Sequence, residues 1–229
     1  MKEYEFVLPE QIESRSFEII KEELIKQGIS LKGLASDETC PIKSEPVYKR
    51  VIHTTADFDY ADNLVFSKDA LTKAYELLTS GCVIVTDTNM ALSGINKGAL
   101  GKLGIEAFCY MADESVIAEA KDRGLTRAAV SMERAAKFDK PVIYAIGNAP
   151  TALISVYETY TEHKDAKDNA DYHIPGLVIG VPVGFVNVVP AKEMIIKSGL
   201  PYIVARGRKG GSNVAAAIVN ALMYQLTRR

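Results

Sequence analysis

The chain has 229 residues, and 27 Lys+Arg against 29 Asp+Glu leave a formal charge of -2. That near-neutral balance does not suggest nucleic-acid binding through a strongly basic face. With 48% hydrophobic and 24% charged residues, the length suits one α/β domain spanning residues 1–229, large enough to bury a core without cross-links.

The elements alternate along the chain. Pro9 to Gln27 reads as a helix opened by proline and stopped at Gly28, with Ile12, Ile19, Ile20 and Leu24 on a broad apolar face. Ile29 to Pro46 looks irregular. Val47 to Thr54 alternates apolar and polar residues and is expected to be a strand ending near His53. Ser67 is expected to cap a helix carrying Leu71, Ala74, Tyr75 and Leu78, which Gly81 ends. Cys82 to Thr86 is a short apolar strand of the buried parallel kind, followed by Asp87. Gly94 to Leu103 reads as one glycine-interrupted helix and Ile105 to Tyr110 as a strand. Asp113 caps a helix running to Gly124, and a second helix covers Arg127 to Phe138. Strands are expected at Pro141 to Ile146, Leu177 to Val181 and Tyr202 to Ala205. Helices are expected from Thr151 to Thr161, Ala191 to Lys197 and Ser212 to Leu226. Glu162 to Tyr172 is polar and reads as an exposed loop or flap.

This order predicts a mostly parallel, twisted sheet of about five or six strands with helices on both faces. Ligands of such sheets bind beyond the carboxyl ends of the strands. His53, Thr86-Asp87, Gly147-Asn148, Pro182-Val-Gly184 and Arg206-Gly207 are therefore expected along one edge. No apolar run approaches a membrane span and the first residues carry no apolar signal core, so a cytoplasmic protein without a membrane partner is expected. Cys40, Cys82 and Cys109 lie far apart and form no CxxC pair, which argues against a disulfide framework or a thiolate zinc site.

Gly207-Arg-Lys-Gly-Gly-Ser212 follows a strand and opens a helix. Its glycines let backbone N–H groups approach an anion, and Arg206 and Arg208 add donors suited to carboxylate or phosphate. It is neither a Walker A loop nor a dinucleotide fingerprint. A solvated turn is the plainer alternative. At the Gly147 to Thr151 junction, capping explains Thr151, while Asn148 leans toward ligand contact. In Arg50-Val-Ile-His53-Thr-Thr-Ala-Asp57, a regular strand would turn Arg50 and His53 to opposite faces. His53 and Asp57 have no third ligand at metal-site spacing, so no metal is expected. His53 is either structural or a general acid/base. His163 and His173 fall in or beside the polar segment. Ser14, Arg15 and Ser16 on the first helix, Thr86 and Asp87 at a strand end, and Arg127 at a helix start are binding candidates or merely capped, paired or solvated residues.

Five segments together resemble the precorrin-8X methylmutase family of cobalamin biosynthesis. They are Pro9-Glu-Gln-Ile-Glu-Ser-Arg-Ser-Phe17, Arg50 to Asp57, Gly147-Asn-Ala-Pro-Thr-Ala-Leu153, Pro182-Val-Gly-Phe-Val186 and Gly207 to Ser212. The resemblance runs from the first helix to the last. It implies an isomerase that moves a methyl group from carbon eleven to carbon twelve of a corrin precursor and consumes no external cofactor. It implies that His53, in the Arg-x-x-His motif, is the proton donor or acceptor. It also implies a homodimer with a cleft at or near the interface. Arg15, Arg50, Arg127, Arg206, Arg208 and the Gly210-Gly211 turn are suited to the many carboxylates of such a tetrapyrrole, with Ser16, Thr86, Asp87, Asn148, Thr151 and Ser212 beside them. The His-Thr-Thr-Ala-Asp wording resembles the branch in which cobalt enters early. Two rival readings remain at this stage: a tetrapyrrole carrier without catalysis, and an α/β phosphate-ester enzyme using the Gly207 loop.

Overall fold

The computed structural model describes residues 5–31, 38–164 and 174–228. A 3-10 turn at Pro9–Gln11 leads into α1 (Ile12–Lys26), then α2 (Ser44–Thr55), α3 (Tyr60–Asn63), β1 (Leu64–Phe66), α4 (Ala70–Ser80) and β2 (Val83–Thr86). The middle of the chain forms α5 (Asn89–Gly94), α6 (Lys97–Leu103), β3 (Glu106–Phe108), α7 (Glu114–Arg123), α8 (Arg127–Ala135) and β4 (Val142–Ile146). It closes with α9 (Pro150–His163), β5 (Leu177–Gly180), α10 (Val188–Lys197), β6 (Tyr202–Ala205) and α11 (Ser212–Thr227).

The strands form one sheet in the order β1-β6-β5-β4-β2-β3. All neighbours run parallel except β1, which is antiparallel to β6 with Leu64 opposite Ala205. The two-residue period of a strand sorts its side chains between two cores. Ile84, Ile143, Ile179 and Ile203 face α1, α2, α4, α5, α6 and α11. Val83, Val85, Tyr144, Val178 and Val204 face α8, α9 and α10. Both faces are thus covered, as the apolar strands require, and each fully buried Ile or Val side chain contributes about 1.5–3 kcal/mol. Helix α11 is rich in alanine because its neighbours come close: a Cβ on Gly94 of α5 would stand 2.8 Å from Ala216.

Four expectations fail locally. Residues 47–54 are not a strand but the body of α2, with Val47, Val51, Tyr48 and Ile52 buried at helical spacing. The alternation there came from β-branched residues, and Pro46 is tolerated because it stands in the first helical turn, where the N–H has no intrahelical partner. On a helix Arg50 and His53 share a side rather than oppose each other. Ser67 does not cap α4: its hydroxyl bonds Asp69 and accepts the Tyr202 N–H, tying the end of β1 to the start of β6. Thr151 does not cap α9, which begins with Pro150 after Ala149. The helix expected from Gly94 to Leu103 starts only at Lys97, because α5 ends at Gly94 and the Asn96 side chain caps α6. The short strand β1 has no counterpart in the expected elements. The expected flap lies outside the described residues from 165 to 172, as does His173.

Candidate functional site

The carboxyl ends of β2, β4, β5 and β6 meet along one edge, built mainly from backbone. Asp87, fully buried after β2, accepts three consecutive N–H groups across the edge: Gly147 (2.8 Å), Asn148 (2.7 Å) and Ala149 (2.6 Å). Burial pushes its pKa up, and the three donors pull against that rise. Thr86 is equally buried and its hydroxyl bonds the Thr88 and Phe108 carbonyls. Neither side chain offers a free face, so both hold the frame instead of touching a ligand directly.

Two glycines in this frame have no alternative. A Cβ on Gly147 would lie 2.7 Å from the Gly211 carbonyl oxygen and from Ser212 Cα, and one on Gly210, at φ +158°, would fall on the Val181 carbonyl. The Gly207 loop is sewn to its neighbours by Gly211 N–H to Val181 O (2.9 Å), Gly184 N–H to Arg208 O (3.2 Å) and the Thr88–Ser212 hydroxyl pair (2.8 Å). From this frame Asn148, Arg206 and Arg208 are exposed. Arg206 reaches Glu193 at 3.2 Å, and the Arg208 guanidinium lies 5.4 Å from the ring of Phe185, itself 80% exposed. The edge therefore presents cationic and apolar groups side by side.

Two predicted residues make contacts of their own within the chain. The Thr151 hydroxyl pairs with Thr126 and lines a groove between α8 and α9 that also carries Glu133, Glu158 and Glu162, a poor surface for an anion. Arg127, exposed, donates to the Met111 carbonyl at 3.1 Å.

His53 stands on the other layer, near the end of α2. It is exposed and lines a shallow, apolar groove of about 280 Å³ with Ser16, Ile19, Ile20, Glu23, Ile52, Ala56 and Phe58. The Phe17 ring meets its edge at 5.5 Å. The structure thus brings Ser16 and His53 together, although the Ser16 hydroxyl is turned back onto the Ile12 carbonyl. His163, by contrast, bonds the Thr159 carbonyl at the end of α9.

The two candidate arginines of this layer, Arg15 and Arg50, are engaged within the chain. Arg50 makes a two-pronged bond to Glu13 (2.9 and 2.8 Å) between the rings of Phe17 and Tyr224, 4.9 and 5.2 Å from its guanidinium carbon. That bond, with help from Arg228, draws the Glu13 pKa down to about 2. Arg50 therefore clamps α1 to α2 and α11 and is not a free carboxylate receptor. Arg15 spreads its guanidinium over Glu5, Glu18 and Glu22 on the surface.

Two lysines that sequence patterns passed over connect the layers. Lys209 reaches from the glycine loop to Asp57 (2.6 Å) and Asp59, so the end of the His53 helix is fastened to the strand edge. Lys192 is fully buried on α10, and its ammonium donates to the Gly207 and Lys209 carbonyls at 2.8 Å each. Burial lowers its pKa to about 8. Neither was legible: Lys192 follows a helical pattern like any surface lysine, and Lys209 meets aspartates some 150 residues away. Among the described residues no three His, Cys, Asp or Glu side chains gather as a metal site.

An exposed imidazole in an apolar groove, joined to an arginine-bearing glycine loop at the edge of a parallel sheet, has the chemistry that proton transfer on an anionic, partly apolar ligand would use. Comparison with known proteins agrees in class. The family model of precorrin-8X methylmutase matches residues 11–225. The cobalt-precorrin-8 methylmutase of Salmonella typhimurium is 45% identical over 95% of this chain and 96% of its own length. That of Priestia megaterium is 41% identical over 94% and 88%. A solved precorrin-8x methyl mutase from Thermus thermophilus superposes with a TM-score of 0.76 at 31% identity, covering 95% of this chain and 98% of the other. The chain belongs to the precorrin-8X methylmutase family and is an isomerase of cobalamin biosynthesis.

Proposed function

We propose that this chain moves a methyl group from carbon eleven to carbon twelve of cobalt-precorrin-8, giving cobyrinic acid, with His53 as proton donor and acceptor. The relatives at 45% and 41% identity carry the cobalt name, which favours the metal-bearing substrate over the metal-free one. One carbon–methyl bond breaks, one forms, and nothing leaves. A proton lent by His53 to the macrocycle polarises the conjugated system during migration and returns afterwards. The carrying observation is the exposed His53 imidazole in its apolar groove, tethered through Asp57 and Lys209 to the arginine-bearing loop.

In this reading Arg206, Arg208, Asn148 and the Gly210-Gly211 turn receive peripheral carboxylates, and Phe185 covers part of the flat ring. The protein works in the cytoplasm as a homodimer whose cleft lies at or near the interface. The large apolar side chains exposed at Phe6, Leu8, Ile12 and Ile19 are the kind of surface a partner protomer covers.

The test is to incubate the protein with cobalt-precorrin-8 and its metal-free counterpart and follow the visible spectrum. Progressive conversion of the cobalt form is expected. A single binding shift without conversion would point to a carrier. His53→Ala is expected to lose roughly 10²-fold or more in turnover while still folding and binding. A folded variant retaining most turnover overturns the assignment of His53.

A further inference from the structure

Lys192 cannot touch a substrate, yet its place is unusual. A fully buried lysine normally faces a carboxylate, because an unpaired buried charge is costly. Here the two acceptors within its reach are both backbone carbonyls of one loop, Gly207 O and Lys209 O, at 2.8 Å. The consequence follows from covalent geometry. In a planar trans peptide the N–H points opposite to the C=O. When the carbonyls of residues 207 and 209 turn inward to the ammonium, the N–H groups of Arg208 and Gly210 turn outward. Neither of those N–H groups has an acceptor among the described residues, whereas the next one, Gly211 N–H, is spent on Val181. Successive outward N–H groups are the arrangement that receives anions. Glycine at 207 and 210 permits the backbone this requires, with φ of +76° and +158°.

We infer that Lys192 is a positioning residue of the substrate site, holding the Gly207 loop so that the Arg208 and Gly210 amides face a substrate carboxylate. This rests on the carboxylate-binding reading given above. The lysine acts from beneath the loop, while Arg206 and Arg208 act from its surface and Lys209 fixes its flank to Asp57 and Asp59. It orients neutral donors and places a buried positive charge behind them, so its contribution is specific for ligands bearing carboxylates.

That specificity supplies the test. Affinities of the substrate acid and of its fully methyl-esterified form are measured by visible absorbance for wild type, Lys192→Met and Lys192→Arg, alongside kcat and KM for the acid. Wild type is expected to prefer the acid. Lys192→Met is expected to lose roughly tenfold or more in affinity for the acid, with the loss in KM rather than kcat, and to bind the ester as wild type does. Lys192→Arg, which keeps donors under the loop, is expected to recover part of the preference. Equal weakening of acid and ester marks a general packing role and overturns the inference, as does an unchanged preference in Lys192→Met. If Lys192→Met does not fold, the same acid-to-ester ratio is read in Lys192→Arg, where a reduced preference with ester binding unchanged supports the inference, and an unchanged preference or equal weakening of both ligands overturns it. If wild type itself shows no preference for the acid, the carboxylate-binding reading fails first, and this inference with it.

Discussion

The strand edge and the α1–α2 layer reach rigidity by different means. At the edge, buried side chains grip main chain: Asp87 collects three backbone N–H groups, Lys192 collects two carbonyls, and glycines at 147 and 210 let segments touch. In the helical layer side chains do the holding, with Arg50 packed between two rings and paired to Glu13, and with Lys209 bonded to Asp57 and Asp59. A backbone frame tolerates no added atom, whereas a side-chain clamp responds to charge and pH. Substrate carboxylates are assigned above to the frame and the proton to the clamped layer, so the part that must not move and the part that must titrate are kept separate.

The sharpest way to break this contrast is Gly210→Ala. Its Cβ falls on the Val181 carbonyl, so the loop must detach or the strand must shift. A loss of about 3 kcal/mol or more in urea unfolding is expected, together with weakened substrate binding. A near-neutral effect would mean that the edge is softer than its geometry implies.

Arg50→Met is expected to cost about 2 kcal/mol near neutral pH, and the cost should depend on pH. The Glu13 pKa falls from 4.5 to about 2 on folding, so its stabilising contribution is complete above 4.5 and disappears as pH falls through about 2. Because Glu13 is 41% exposed, solvent screening limits the pH-dependent part to about 1 kcal/mol. Urea titrations at neutral pH and about pH 3 should therefore show the gap between wild type and variant narrowing in acid. A gap of constant size would assign the loss to ring packing alone.

The smallest expected effect is at the end of the His53 helix. Ala56 closes α2 in the left-handed region, at φ +53°, where an L side chain is strained. Ala56→Gly is expected to gain about 0.5–1 kcal/mol in thermal or urea unfolding. A loss of stability there would show that the Ala56 methyl packs usefully in the groove beside His53.

Much of the fold was legible because its central strands are buried on both faces. Val83 to Thr86, Val142 to Ile146 and Leu177 to Gly180 show no polar alternation, which only a covered parallel sheet explains. The α2 helix was misread because Val, Ile and Thr favour strands locally, and burial against α11 and α1 overrode that preference. The strand β1 has three residues and owes its existence to a partner about 140 positions away, so no local pattern marks it. Residue types at the site were readable, but their employment was not. Asp87 and Arg50 have the chemistry of ligand contacts, and only the fold reveals that both are committed to neighbours within the chain.

The position of β1 also bears on how the molecule is made. It lies at the sheet edge with β6 as its neighbour, and the His53 helix is fastened to the loop that follows β6. Strands β2 through β5 pair with one another, and their ladders need nothing from β6. Until residues 202–209 have been made, however, Leu64–Phe66 has no strand to join and Asp57 has no lysine to hold it. The two halves of the site meet only once β6 and the loop after it exist, so assembly of the pocket waits on residues 202–209.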